Sequence, residues 1–121
     1  MRKALLDADL RMEYQPQVDA QGRIMAVEAL LRWEHPVRGD IPPGVFVPLA
    51  EETGLILQLG EYVLRRVFYE TSAWHGVRVA INVSAEQMRA TGFAAQVAQI
   101  AAHAGIDPSR YEIEITETAL L

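Results

Sequence analysis

The chain has 121 residues, half of them hydrophobic, and a formal net charge of −5. This length and apolar content are typical of one domain with a hydrophobic core, and the acidic balance argues against a broad DNA or RNA surface. The absence of cysteine excludes disulfides, thiolate metal sites and cysteine nucleophiles, and it is compatible with a cytoplasmic protein. No segment reaches the roughly 20 consecutive apolar residues of a membrane span.

The first predicted elements are a short helix and a β-hairpin. The helix is expected over 1–10, and two strands are expected over 11–19 and 23–33, joined by the Gly-containing connection "AQG". Prolines and glycines over 35–44 then predict an irregular loop.

Two helices and a strand are predicted next. Apolar residues recur at helical spacing over about 45–53 and 55–75, although Gly60 carries a helix-propensity penalty of about 1 kcal/mol. The segment 78–84 is predicted to be a strand. Ser84, followed three residues later by a glutamine, forms a capping-box pattern that predicts a helix immediately after the strand.

The last predicted elements are a long helix and a final strand. The helix after Ser84 is expected to run as one apolar stripe to a C-cap at Gly105, and the strand covers 111–117. After the hairpin, strands alternate with helices, which is typical of right-handed parallel β–α units. The aliphatic side of each strand is expected to lie under helices, and the small, polar side to line a barrel with a site at its mouth.

Three predicted strands each carry an oxygen ligand on the polar side: Glu28, Asn82 and Glu114. Two carboxylates and an amide, without a thiol or a well-placed imidazole, favour Mg²⁺ or Mn²⁺. Arg32 follows Glu28 on the same face at roughly 13 Å and is a candidate phosphate contact. The pattern also allows structural interpretations: the glutamates on a solvated face, and Asn82 as a strand-end turn residue. Glu112 is interpreted as structural.

Several short motifs occur in an order and spacing that indicate a known family. The segments "YQPQVD", "VEALLRWEHP", "IPPGVFVPLAEETGLI", "INVSAEQM" and "EIEITET" together closely resemble the N-terminal half of the EAL domain, named for Glu28-Ala29-Leu30. Members of this family are bacterial phosphodiesterases that hydrolyse cyclic di-GMP to linear pGpG. The resemblance implies an α/β fold, a modified TIM barrel whose first strand is antiparallel to the others, with about four of its strands in this chain.

The resemblance also implies roles for individual residues. Three of them match the metal ligands of the family: Glu28, Asn82 and Glu114. By this resemblance they act in catalysis through one or two bound Mg²⁺ or Mn²⁺ ions. Arg32 matches a phosphate contact, and Gln15 matches a position near the substrate. Glu117 matches a glutamate that stabilises a loop over the metal site.

A complete barrel of this type takes around 250 residues. Residues 1–121 are therefore expected to be the N-terminal half of a single EAL-type domain, either a fragment or a truncated gene product, without the C-terminal half and its further metal ligands. Alone, the chain is expected to be inactive, and to associate with itself, pair with the missing half or remain loosely packed. An alternative is a non-catalytic EAL remnant that binds cyclic di-GMP or a partner protein. In a longer protein, sensory or GGDEF-type domains are the expected partners.

Overall fold

A mixed five-stranded sheet organises the computed structural model, which describes residues 9–116. The strands are β1 (Leu10–Val18), β2 (Ile24–His35), β3 (Gly39–Ile41), β4 (Arg78–Ser84) and β5 (Tyr111–Thr116). They follow the order β1-β2-β4-β5, and β3 pairs with the end of β2. β1 is antiparallel to β2, whereas β2, β4 and β5 run parallel. The expected antiparallel first strand is therefore present.

Helices connect the parallel strands. In the described part of the chain they are α1 (Pro43–Thr53), α2 (Ile56–Thr71), α3 (Ala85–Arg89) and α4 (Phe93–Ala104), and a 3₁₀ turn (Pro108–Arg110) leads into β5. α1 and α2 lie between β2 and β4, and α3 and α4 lie between β4 and β5, which is the predicted alternation. No helix among residues 9–116 is long and apolar enough to cross a membrane.

The aliphatic sides of the strands form the core. Val79 and Ile81 of β4 are fully buried and belong to one cluster with Val67 and Phe68 of α2 and Ile100 of α4. Burying an aliphatic or aromatic side chain of this size stabilises the fold by about 1.5–3 kcal/mol. The predicted aliphatic side of β4 is thus the side that faces the helices, and the polar side is left for a site.

The beginning of the chain and the loop after β2 differ from the sequence predictions. Of the helix expected over 1–10, residues 1–8 lie outside the described residues, and Leu10 is the first residue of β1, paired with Trp33. The loop expected over 35–44 contains β3, which folds back on the end of β2. Glycine and proline content alone does not separate a loop from a tight hairpin.

The single helix expected after Ser84 is two helices. The Ser84 Oγ accepts a hydrogen bond of 3.0 Å from the Gln87 N–H, which confirms the predicted cap. The helix then breaks at Ala90, which is extended, and at Gly92, whose φ of 80° is left-handed and favours glycine. The second helix ends at the predicted C-cap, Gly105.

The second predicted helix ends earlier than expected. α2 stops at Thr71 rather than near residue 75. Arg110, just before β5, donates hydrogen bonds to the carbonyl oxygens of Thr71, Trp74 and Val77. A cation that satisfies carbonyl groups at a helix C-terminus stabilises the end of the helix. The spacing of apolar residues within the helix does not predict a contact with a residue so distant in sequence.

Candidate active site

The polar sides of β1, β2, β4 and β5 form one surface, because paired residues point to the same side of a sheet. Glu28 pairs with Gln15 of β1 and with Ala80 of β4. Asn82, two residues after Ala80, pairs with Glu114 of β5. The register therefore places the three predicted metal ligands and Gln15 on a single face of the sheet, which we call the polar face.

Glu28 and Asn82 are in contact on this face. Asn82 Nδ2 lies 3.5 Å from Glu28 Oε2, and both residues are half-buried. This distance is at the long limit for a hydrogen bond, so the contact is weak. A ligand that both side chains bind could replace it at little cost.

The other predicted site residues differ in exposure and position. Gln15 is exposed and lies opposite Glu28. Glu114 is also exposed, on β5, which within the described residues pairs only with β4. Glu117, the expected loop-stabilising residue, lies outside the described residues.

The donor set on the polar face suits a hard divalent cation. Glu28 and Glu114 offer carboxylate oxygens and Asn82 offers an amide oxygen, which are the ligand types that Mg²⁺ and Mn²⁺ prefer. Across residues 9–116, no group of three histidine, aspartate or glutamate side chains is placed to hold a metal ion. The described donors could therefore supply only part of a metal coordination shell.

Arg32 lies on the polar face, further along β2 than Glu28. Its Nε is 3.4 Å from Glu13 Oε2, and its side chain is one-third exposed, at 33%. Arg11 lies directly opposite Arg32 in the ladder and also hydrogen-bonds Glu13. This bond with Arg11 is the main cause that holds the pKa of Glu13 below its usual range, with a smaller contribution from Arg32.

Arg11 and Glu13 are absent from the sequence predictions. The signal that could have found them is strand alternation, since they precede Gln15 at two-residue steps and so share its face. They add a cation and an anion beside the predicted phosphate contact.

A cavity beneath the polar face is a separate feature. It lies between α1, α2 and the sheet, and its lining includes Met12, Leu31 and Val63 from the buried side. Arg32 and Asn82 also border it, so the cavity runs below the ends of β2 and β4. Glu28, Gln15 and Glu114 are not among its lining residues. The polar face, and not this cavity, therefore brings the candidate ligands together.

Comparison with known proteins gives consistent matches along the chain. Residues 1–121 match the family model described as the EAL domain. Cyclic di-GMP phosphodiesterase PA2567 of Pseudomonas aeruginosa is 42% identical over 113 residues, which cover 89% of this chain and 19% of that protein. The bifunctional diguanylate cyclase/cyclic di-GMP phosphodiesterase MucR of the same organism is 41% identical over 127 residues, which cover 100% of this chain and 18% of that protein.

A solved structure shares the fold. The PaMucR phosphodiesterase in its c-di-GMP complex superposes with a TM-score of 0.90 at 43% identity, over 98% of this chain and 51% of that one. The chain spans about half the length of that structure and a smaller share of both curated relatives. Its sheet and helices correspond to the N-terminal part of a TIM-barrel domain, as expected from the sequence. The chain belongs to the EAL domain family.

Proposed function

We propose that residues 1–121 are the N-terminal half of an EAL domain and provide half of an active site that hydrolyses cyclic di-GMP to linear pGpG with Mg²⁺ or Mn²⁺. The observation that carries this proposal is the contact between Glu28 and Asn82 on the polar face, with Arg32 on the same face. The substrate is supported by the two related proteins named as cyclic di-GMP phosphodiesterases.

Glu28, Asn82 and Glu114 are the residues that would hold the divalent ions. When bound, such ions stabilise the charge that develops on a phosphodiester during hydrolysis. The two carboxylates would otherwise repel an anionic dinucleotide, so their pairing with cations also explains how an acidic protein accepts this substrate. This chain contributes the ligands from β2, β4 and β5.

Arg32 and Gln15 are proposed to bind the substrate. The Arg32 guanidinium can donate charge-assisted hydrogen bonds to a phosphate, which are stronger than those between neutral groups. Gln15, exposed and opposite Glu28, can offer its side-chain amide to the same ligand. Glu117 is proposed to stabilise a loop over the metal site.

A second candidate function is binding of cyclic di-GMP, or of a partner protein, without hydrolysis. It is favoured by the partial donor set, since the described residues bring no three acidic or histidine side chains together. In that case Arg32 would still bind phosphate, but the metal-dependent step would be missing.

A complementation experiment separates the two candidates. The 121-residue chain is incubated with cyclic di-GMP and Mn²⁺, alone and with the separately produced C-terminal half of the PaMucR phosphodiesterase, which is also assayed alone. We expect pGpG only from the mixture, and none when the chain carries Glu28→Gln. Turnover by the verified chain alone would contradict the half-site proposal, and binding without hydrolysis in the mixture would favour the second candidate.

A further inference from the structure

We propose that Glu13 is a positioning residue, which holds the guanidinium of Arg32 through Nε so that the terminal nitrogens face a substrate phosphate. This inference rests on the proposed function, because it takes Arg32 as the phosphate contact. Glu13 itself touches neither the metal ligands nor, in this proposal, the reacting atoms.

The geometry of the β1–β2 ladder is the basis for this role. Arg11 and Arg32 lie directly opposite each other on the polar face, where two like charges repel. Glu13 follows Arg11 by two residues on β1 and lies diagonally across from Arg32. It binds both arginines, Arg11 through Nη1 and Arg32 through Nε at 3.4 Å. One carboxylate therefore links the two arginines.

The shape of the guanidinium explains how the contact with Glu13 can affect phosphate binding by Arg32. Arginine has five N–H donors in a planar fork, and a partner at Nε leaves the terminal nitrogens able to donate to a phosphate. A long, flexible arginine loses rotamer freedom when it binds a ligand, and a side chain that is already held loses less. Glu13 is thus expected to strengthen phosphate binding by Arg32.

A purely electrostatic effect of Glu13 has the opposite sign. Its negative charge repels an anionic dinucleotide, so removal of the carboxylate would tighten substrate binding if repulsion were the dominant effect. The side chain is 48% exposed, and solvent and salt weaken such repulsion. The direction of the change in affinity therefore distinguishes positioning from repulsion.

The test uses the completed domain, defined as residues 1–121 joined to the C-terminal half of the PaMucR phosphodiesterase. We expect Glu13→Ala to weaken cyclic di-GMP affinity by about two- to fivefold, the range that exposed ion pairs produce, with kcat nearly unchanged. Glu13→Gln keeps an acceptor oxygen and should restore part of the affinity. The matched control is Glu34→Ala, because Glu34 lies 3.9 Å from Arg11 and its removal deletes the same charge from the same face. It should not weaken binding.

A double-mutant cycle identifies the partner through which Glu13 acts. In an Arg32→Ala background, Glu13→Ala should cause no further loss of affinity. The Arg32 Nε–H resonance in NMR spectra should shift in Glu13→Gln and stay in place in Glu34→Ala. Equal losses in both backgrounds, or tighter binding by Glu13→Ala, would overturn the inference.

The two proposals fail in different ways. If the unmodified completed domain neither binds nor hydrolyses cyclic di-GMP, the proposed function fails, and the role of Glu13 toward a phosphate fails with it. If the domain binds the dinucleotide but the Glu13 variants leave its affinity unchanged, only the positioning role is wrong.

Discussion

Asn82 Nδ2 lies 3.5 Å from Glu28 Oε2, although the two residues are 54 positions apart in sequence. The register of the parallel strands β2 and β4 produces this contact, because Glu28 pairs with Ala80 and Asn82 follows on the same face. The helices that connect the two strands bury the opposite face, so the carboxylate and the amide meet on the side that remains accessible.

The first prediction concerns Glu28. In the completed domain, Glu28→Gln should lower metal affinity and the rate of hydrolysis by more than about tenfold, since loss of even an indirect partner of a metal ligand has an effect of this size. The fold should persist because glutamine has the same shape and the side chain is half-buried. Mn²⁺ titration of pGpG formation, with circular dichroism to monitor folding, measures both effects.

The control for this prediction is Glu112→Gln, which makes the same substitution on β5, also on the polar face. Ala80 pairs with both Glu28 and Glu112, which places the two glutamates at the same height in the sheet. The control should have the metal requirement of the unmodified domain. An equal loss in the two variants would mean that general charge, and not ligation by Glu28, determines metal binding.

The second prediction concerns Arg32. Arg32→Ala should weaken cyclic di-GMP affinity about tenfold or more, because a hydrogen bond to a charged group contributes about 1.5–3 kcal/mol. The Mn²⁺ requirement should stay the same. Steady-state kinetics across substrate and metal concentrations separates the two effects.

Arg65→Ala is the matched control for Arg32, since Arg65 lies on α2 and pairs with Glu61 at 2.9 Å, away from the polar face. It should leave both substrate affinity and metal requirement unchanged. If Arg32→Ala instead raised the Mn²⁺ requirement and left substrate affinity normal, the roles assigned to Arg32 and to the proposed metal ligands would be wrong.

The third prediction concerns the packing of α2 against α3. A Cβ at Gly60 would lie 1.9 Å from Gln87 Nε2, and Gln87 is buried. Gly60→Ala should therefore lower the free energy of unfolding by about 1–3 kcal/mol, as overpacking does, although alanine has the better helix propensity. Urea unfolding measures the change, and Gly60→Ala combined with Gln87→Ala should recover most of it.

Gly44→Ala provides the control for Gly60, because Gly44 lies in α1 and, apart from its chain neighbours and its own helix backbone, no atom is within 4 Å of the position of its Cβ. It should leave stability unchanged or raise it slightly. Unchanged stability in Gly60→Ala would show that Gln87 moves aside without cost.

The fourth prediction concerns the chain on its own. β5 pairs only with β4 in the described part of the sheet, and Ile115 on this strand is 50% exposed. An open strand edge with an apolar side chain favours association, so sedimentation should detect self-association that grows with concentration. Ile115→Lys should reduce it, and Ile24→Lys should not, because Ile24 is 54% exposed but lies next to the hairpin between β1 and β2. A chain that stays monomeric at all concentrations would contradict this prediction.

The sequence by itself determined the local features of the fold. The two-residue alternation placed Glu28 and Arg32 on one face of β2, and the strand at 78–84 agrees with the structure at both ends. Ser84 and Gly105 marked the helix ends correctly. These features depend on the residues of one segment and their immediate neighbours, because hydrophobic periodicity reports which side of an element is buried, and caps bind backbone groups a few positions away.

The tertiary structure alone decided which segments meet. Strand register brings Asn82 to Glu28, and the side chain of Gln87 occupies the space beside Gly60. Arg110 hydrogen-bonds the carbonyl oxygen of Thr71 at the end of α2 from 39 residues away. Gly60 looks unfavourable within the sequence of its own helix, yet its missing side chain leaves room for another helix to approach. Each of these contacts joins distant segments, so its position depends on how strands pair and helices pack in three dimensions. The hydrophobic periodicity of a single segment does not predict this packing.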